Sequence, residues 1–466
     1  MGYIVPLVFV ALFAVAFQLL DISRTITLIA FTTDFDKIAV VAPLAQLKDT
    51  CELKYPDLLL GCEKIQIVND VLYATCLSDL EARAKWSGPV GLLDDSILRV
   101  NGGKGLNSRI MAWDLKSDEV KELLVTNFPK DTERAFQVGF DIAQIDEGKL
   151  IFYIINMLPT TPVIQKFIHV PGQRSIKYLS TLPIPAPETL DKVGFPYVPN
   201  PNDVYIIPGT DATQIFVTND HASVPDHTAL SRKLEEYGRL KRSWISSYSE
   251  KDGTWKSAGP DAQRLRMVNG ITGPRYNKDR NYVYVSELGD GQVLIYKRVQ
   301  DATGRWGLEL KQKVPVDFLG DNPTLSYPDE EDLYIIGHPT PANVKDHMAL
   351  ALEPEKQPTS GGRAARFATS QVEGGFFGTK GETAAPTVEN LFVDAAGVMF
   401  NVSSTAVFYK HPVEEAEKEL REDAEEAEEV DDEVELDVGV GNLRKGDLFV
   451  TGLLQKGIYR CKNFPA

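Results

Sequence analysis

Short runs rich in β-branched and aromatic residues recur from about residue 63 almost to the C-terminus, with turn residues between them. They stand at 63–67, 71–75, 150–155, 202–207, 214–218, 268–271, 282–285, 293–296, 332–336, 391–393, 398–402 and 448–451. Asp146-Glu147-Gly148, Asn277-Lys278-Asp279 and Gly289-Asp290-Gly291 are among the turn signals. Many short strands without long helical patterns between them predict an all-β sandwich, barrel or propeller. No strict repeat is visible, so periodicity alone does not choose among these. Barrels and propellers absorb several hundred residues as one domain, and residues 45–466 read as one such unit. The Gly-, Ser- and Pro-rich stretch 356–366 reads as a surface loop.

Polar residues tilt the choice toward a propeller. Glu63, Asn202-Asp203, Asn269 and Asp321-Asn322 lie far apart in the chain, each on or just before a strand-like run. Strands that return repeatedly to one central axis bring such residues together most easily. Glu63, Asn202, Asn269, Asp321 and Asn322 offer oxygen donors, which suits a hard cation such as calcium. The two carboxylates would neutralise the ion and the amides would complete its shell.

The net charge of −17 is unevenly placed, because residues 414–437 carry 15 acids against Lys418 and Arg421. The segment 412–437 therefore reads as an acidic, solvated insertion within the propeller. Nothing resembles a basic stripe, which argues against nucleic acid as a partner. Cys51 precedes the first strand signals and Cys461 lies near the C-terminus, a placement that suits a disulfide tying the ends of a domain in an oxidising compartment. Cys62 and Cys76 read as buried, small apolar residues. Residues 4–20 carry no charge, so 1–22 reads as a hydrophobic helix, either a signal peptide or, preferably, an uncleaved signal-anchor. That places the chain in the secretory pathway, with the membrane as a partner of its N-terminal segment. Asn401-Val402-Ser403 is an N-glycosylation acceptor motif at Asn401.

Taken in order, these residues resemble the serum paraoxonase/arylesterase family. The match runs from Cys51 and the Glu63 strand through Asn202-Asp203 and Thr218-Asn219-Asp220-His221. It continues through Val268-Asn269-Gly270-Ile271, Tyr282-Val283-Tyr284-Val285, Asp321-Asn322, His338-Pro339 and Tyr459-Arg460-Cys461. The resemblance implies a six-bladed β-propeller closed by a Cys51–Cys461 disulfide, a retained hydrophobic N-terminus and two central calcium ions. It also implies hydrolysis of aryl esters and lactones, with a small apolar ester or lactone as substrate. Carried over by residue, the catalytic calcium would be held by Glu63, Asn202, Asn269, Asp321 and Asn322.

Two departures from the family pattern matter. Lys64 stands where the second calcium requires a carboxylate; its ammonium could instead pair with Asp203, so one calcium per chain is expected. The family's histidine dyad falls on Val138 and Met157, which cannot move protons. His221 and His338 match family histidines and are candidates for the pocket, although a structural, hydrogen-bonded role is the plainer reading. Asp321 is a further candidate, as base or nucleophile while touching the metal. Two other readings stand beside the hydrolase: a non-catalytic, calcium-stabilised scaffold, and a strictosidine-synthase-like propeller without these ligands.

Overall fold

A computed structural model describes residues 37–87, 92–145, 148–158, 161–183, 198–222, 230–236, 240–276, 280–340, 360–373, 386–411 and 446–465. The hydrophobic segment 1–22 and the acidic segment 412–437 lie outside the described residues. Within them the chain is mostly β, with a few short helices. Strands follow one another as antiparallel meanders. One meander comprises Pro201–Ile206, Gln214–Asn219, Trp244–Ser249 and Thr254–Ser257, and the next comprises Val268–Thr272, Tyr282–Glu287, Gln292–Gln300 and Trp306–Pro315.

Two larger sheets of eight strands each join a pair of such meanders through brief parallel contacts. In the first, Leu60–Val68 leads one half and Phe140–Gln144 leads the other. In the second, Leu319–Leu325 and Ser403–Lys410 lead the halves. Each leading strand touches the next one in chain order, and Ser403–Lys410 in turn touches Leu60–Val68.

Apolar side chains fill the space between successive meanders. Tyr73 and Ile110 pack with Phe140, Phe152 and Phe167. Likewise Tyr205, Phe216 and Ile245 meet Val268, Val283 and Leu294. Each large side chain removed from water here contributes about 1.5–3 kcal/mol. The final sheet is completed by the first described strand: Cys51–Lys54 pairs with Ile458–Cys461, and the Cys51–Cys461 disulfide locks the pair.

Three expectations need correction. Cys62 and Cys76 are not free apolar residues but form a second disulfide, because Leu60–Val68 and Val71–Leu77 bring them side by side across the sheet. Residues 362–366 of the expected loop are not surface loop: they belong to Gly362–Ala368, a largely buried strand between Asp332–His338 and Glu389–Asp394. Residues 398–402 form bends and turns rather than a strand, since the Asp394 carboxylate accepts the backbone N–H groups of Val398, Met399 and Phe400. Two disulfides fit the expected oxidising compartment. Among the described residues, no helix is long and apolar enough to cross a membrane.

Candidate functional site

Five of the six leading strands share one irregularity near their N-terminal ends; Phe140–Gln144 pairs in continuous register. Pairing register slips between Leu60 and Lys64, Pro201 and Asp203, Val268 and Ile271, Gly320 and Pro323, and Ser403 and Thr405. A slipped register is the mark of a β-bulge, which leaves a residue out of the ladder and re-aims its side chain. The residues within these slips include Glu63, Asn202, Asn269, Asp321 and Asn322. All five sequence-predicted metal ligands therefore fall within slips of the antiparallel pairing, although Asn322 pairs on its other side with Thr405.

Several contacts draw these strands together. Asn322 Nδ2 donates to Glu63 Oε1 at 3.3 Å. A Cβ on Gly270 would lie 2.6 Å from both Asn322 Cα and Asn322 Oδ1, so only glycine lets these two strands approach. The N–H of Gly139 donates to the Asn202 carbonyl at 2.8 Å, and the N–H of Ile271 donates to Asp203 Oδ2 at 2.8 Å. Ser404 and Thr405 hydroxyls donate to the Glu63 carbonyl at 2.6 and 2.7 Å, fixing the backbone of that bulge. Lys64 Nζ pairs with both carboxylate oxygens of the buried Asp203.

Five buried oxygens are left over. Glu63 Oε2, Asn202 Oδ1, Asn269 Oδ1, Asp321 Oδ1 and Asn322 Oδ1 have no hydrogen-bond partner among the described residues. A buried, unpaired polar atom costs about 1–3 kcal/mol, so a group of them is unusual unless something else satisfies them. No cluster of three or more His, Cys, Asp or Glu suited to a metal occurs among the described residues. Only two of the five proposed ligands are acids, and amide oxygens supply the remainder.

The electrostatics are strained in the same place. Burial pushes the Glu63 carboxyl up to about 7; the Arg83 charge opposes this and the Asp203 charge adds to it. Burial, followed by the charge of Glu63, holds Asp321 well above the usual carboxylate range. Asp203 is pushed up to about 6 by burial, against the pull of Lys64.

A carboxyl whose folded pKa exceeds its unfolded value binds more protons in the folded state, so stability falls as pH rises between the two. The metal-free protein is therefore expected to lose stability from about pH 4.5 to about pH 7, by up to about 3 kcal/mol from Glu63 alone. Thermal melts in chelator across this range check the sign; a rise in stability would contradict it.

Arg83 is the residue that sequence reading missed. It lies on the short helix Leu80–Lys85, whose start is capped by Asp79 accepting the Glu81 N–H at 2.9 Å. Its side chain is buried, its Nη1 donates to the Gln137 carbonyl at 2.7 Å, and its Nε has no partner. Burial lowers its pKa to about 10, while Glu63 and Asp321 act on it through space to oppose that shift. Nothing in a lone Arg within Leu-Glu-Ala-Arg-Ala-Lys distinguishes it from a surface cation.

The family's dyad positions are apolar. Val138 and Met157 are buried in one cluster with Trp86, Leu98 and Leu106, and Trp86 Nε1 donates to the Met157 carbonyl at 3.0 Å. His221 and His338 are both buried at the ends of second strands in their meanders. His221 Nδ1 lies 3.1 Å from Asp220 Oδ2, and the His221 carbonyl accepts from Asn200 Nδ2 at 2.9 Å. His338 stands opposite Leu319, two residues before Asp321. Asn401 lies half-buried in the turn before Ser403–Lys410, and Ser403 of its acceptor motif is fully buried.

A cleft lined by Lys64, Gln66, Thr272, Arg275, Tyr276 and Tyr327 opens further along the leading strands, and Lys64 is common to it and the site above. Both of its cations are already paired, Lys64 with Asp203 and Arg275 donating to Asp141 Oδ1 at 2.6 Å.

No protein-family model matches the sequence, and no curated protein is detectably similar to it. Among solved structures, the chain is similar to a candidate gluconolactonase at 10% identity, covering 88% of this chain and 92% of that one, with a TM-score of 0.38. The periplasmic gluconolactonase of Pseudomonas aeruginosa matches at 11% identity over 70% of each chain, with a TM-score of 0.32. The PQQ-bound aldose sugar dehydrogenase of Streptomyces coelicolor matches at 10% identity over 77% of this chain and 88% of that one, with a TM-score of 0.37. At such likeness, any functional reading rests on the site's own geometry.

Proposed function

We propose that the chain is a paraoxonase-like hydrolase of esters or lactones, acting at one calcium ion held by Glu63, Asn202, Asn269, Asp321 and Asn322. One observation carries this reading: five buried oxygens, from four separate strands, lack hydrogen-bond partners among the described residues. The donor set is all oxygen, with two carboxylates and three amides, as a hard cation prefers. We further read the meanders as a six-bladed propeller; the contacts of the leading strands, running in chain order and returning to the first, support this.

Bound there, calcium would supply Lewis-acid polarisation of a carbonyl oxygen. The protein's own part is to orient and to exclude water. Asn322 Nδ2 steadies one Glu63 oxygen and leaves Oε2 open. Val138 and Met157, at the positions where the family keeps its histidines, pack in the core with Trp86 and cannot relay protons. Lys64 neutralises Asp203, which leaves that carboxylate no need of a second ion.

The expected result is hydrolysis of phenyl acetate or a δ-lactone that stops in chelator and returns with added calcium. Metal analysis should find one tightly held ion per chain; two would refute the role given to Lys64. Because apolar residues replace the histidine dyad, a calcium-stabilised scaffold is the second reading. Calcium-dependent folding without any turnover would favour it.

A further inference from the structure

We infer that Arg83 and Gln137 form an anion-recognising subsite beside the proposed metal, so that the preferred substrate is an ester or lactone carrying a carboxylate or phosphate group. This rests on the functional reading above and narrows its substrate class away from a wholly apolar molecule. Arg83 Nε–H is buried and without a partner, and the Gln137 side-chain amide is fully buried with neither its Oε1 nor its Nε2 partnered. The two residues are tied, because Arg83 Nη1 donates to the Gln137 carbonyl at 2.7 Å. Three unsatisfied polar atoms therefore lie on linked residues close enough for Arg83 to feel both Glu63 and Asp321.

Charge points the same way. With all three carboxyls ionised, as calcium ligation requires of Glu63 and Asp321, Glu63, Asp203 and Asp321 against Lys64 and Arg83 leave one negative charge, and a divalent ion would turn this into one positive charge. A neutral substrate would leave that excess charge and the guanidinium N–H unanswered in a dry site. An oxyanion answers both, and charge-assisted hydrogen bonds to guanidinium are the strong kind. The carboxylate released by hydrolysis of any ester has the same chemistry, so the subsite would also hold product.

The test uses the full chain and two titrants. Calcium is titrated first, then benzoate into the calcium-loaded protein, for the wild type and for Arg83→Met. Removing the cation should tighten calcium binding and weaken benzoate binding roughly 10- to 100-fold. These opposite signs separate a recognition role from damage to the fold, which would weaken both. Should Arg83→Met lose both, Arg83→Lys and Arg83→Gln decide: benzoate binding must survive in the first and fail in the second. Benzoate affinity indifferent to Arg83, or no greater than that of benzyl alcohol in the wild type, overturns the inference. Failure of the wild type to bind calcium instead sinks the functional reading, and benzoate titration of the metal-free chain still reports on Arg83. With turnover in hand, 4-acetoxybenzoate should be preferred over phenyl acetate, and Arg83→Met should abolish the preference.

Discussion

Replacing Glu63 with glutamine is expected to weaken calcium binding on the order of 100- to 1,000-fold and to remove ester or lactone hydrolysis at calcium levels that saturate the wild type. The amide preserves shape and keeps an oxygen at the bulge, so the loss isolates the charge. Glu63 is one of only two carboxylates among the five proposed ligands, and the charge count of the ligands sets affinity for calcium. The same change should have the opposite effect on the metal-free protein. Burial pushes the Glu63 carboxyl up to about 7, so ionising it at pH 8 costs the folded state up to about 3 kcal/mol. Glu63→Gln should recover part of that cost in chelator. Calorimetric titration of calcium, paired with denaturant melts in chelator, reads both effects. A variant that binds calcium like the wild type would remove Glu63 from the ligand set.

Loss of the Cys51–Cys461 disulfide should be the most destabilising single covalent change. The bond joins residues 410 apart, whereas Cys62–Cys76 spans 14. In the chain-entropy account, the long loop is worth about 5–6 kcal/mol and the short one about 3. The Cys51→Ser/Cys461→Ser double variant should therefore unfold at markedly lower denaturant than Cys62→Ser/Cys76→Ser under non-reducing conditions. Equal losses, or the reverse order, would show that strain or residual unfolded structure outweighs loop length. The register supports a large effect, because Cys51–Lys54 is held to the sheet by pairing with Ile458–Cys461.

Much of this molecule was legible in the sequence because its strands announce themselves. Runs such as 150–155 and 293–296 became Leu150–Asn156 and Gln292–Gln300. The polar residues of the leading strands stood out because an Asn or Asp in such a run has few uses other than a turn or a ligand. Other features depend on partners that no local pattern names. The Cys62–Cys76 bond requires knowing that their strands are neighbours and that the register slips by Lys64. Ser403–Lys410 opens with Ser-Ser-Thr, which reads as a turn, yet Ser404 and Thr405 hydroxyls hold the Glu63 backbone. Gly362–Ala368 hid in a Gly-rich setting because its strand is made by burial between two neighbours rather than by bulky residues. Arg83 was invisible for the complementary reason: its burial comes from tertiary packing, against every expectation for an isolated cation.

The pairing of Cys51–Lys54 with Ile458–Cys461 has a consequence for synthesis. A chain made from its N-terminus must keep that early segment waiting until residues 458–461 have left the ribosome. Every incomplete product is then an open stack with two bare strand edges, a template for joining other nascent copies. A stop placed before Ile458 would thus yield an aggregation-prone species rather than a folded protein lacking one strand.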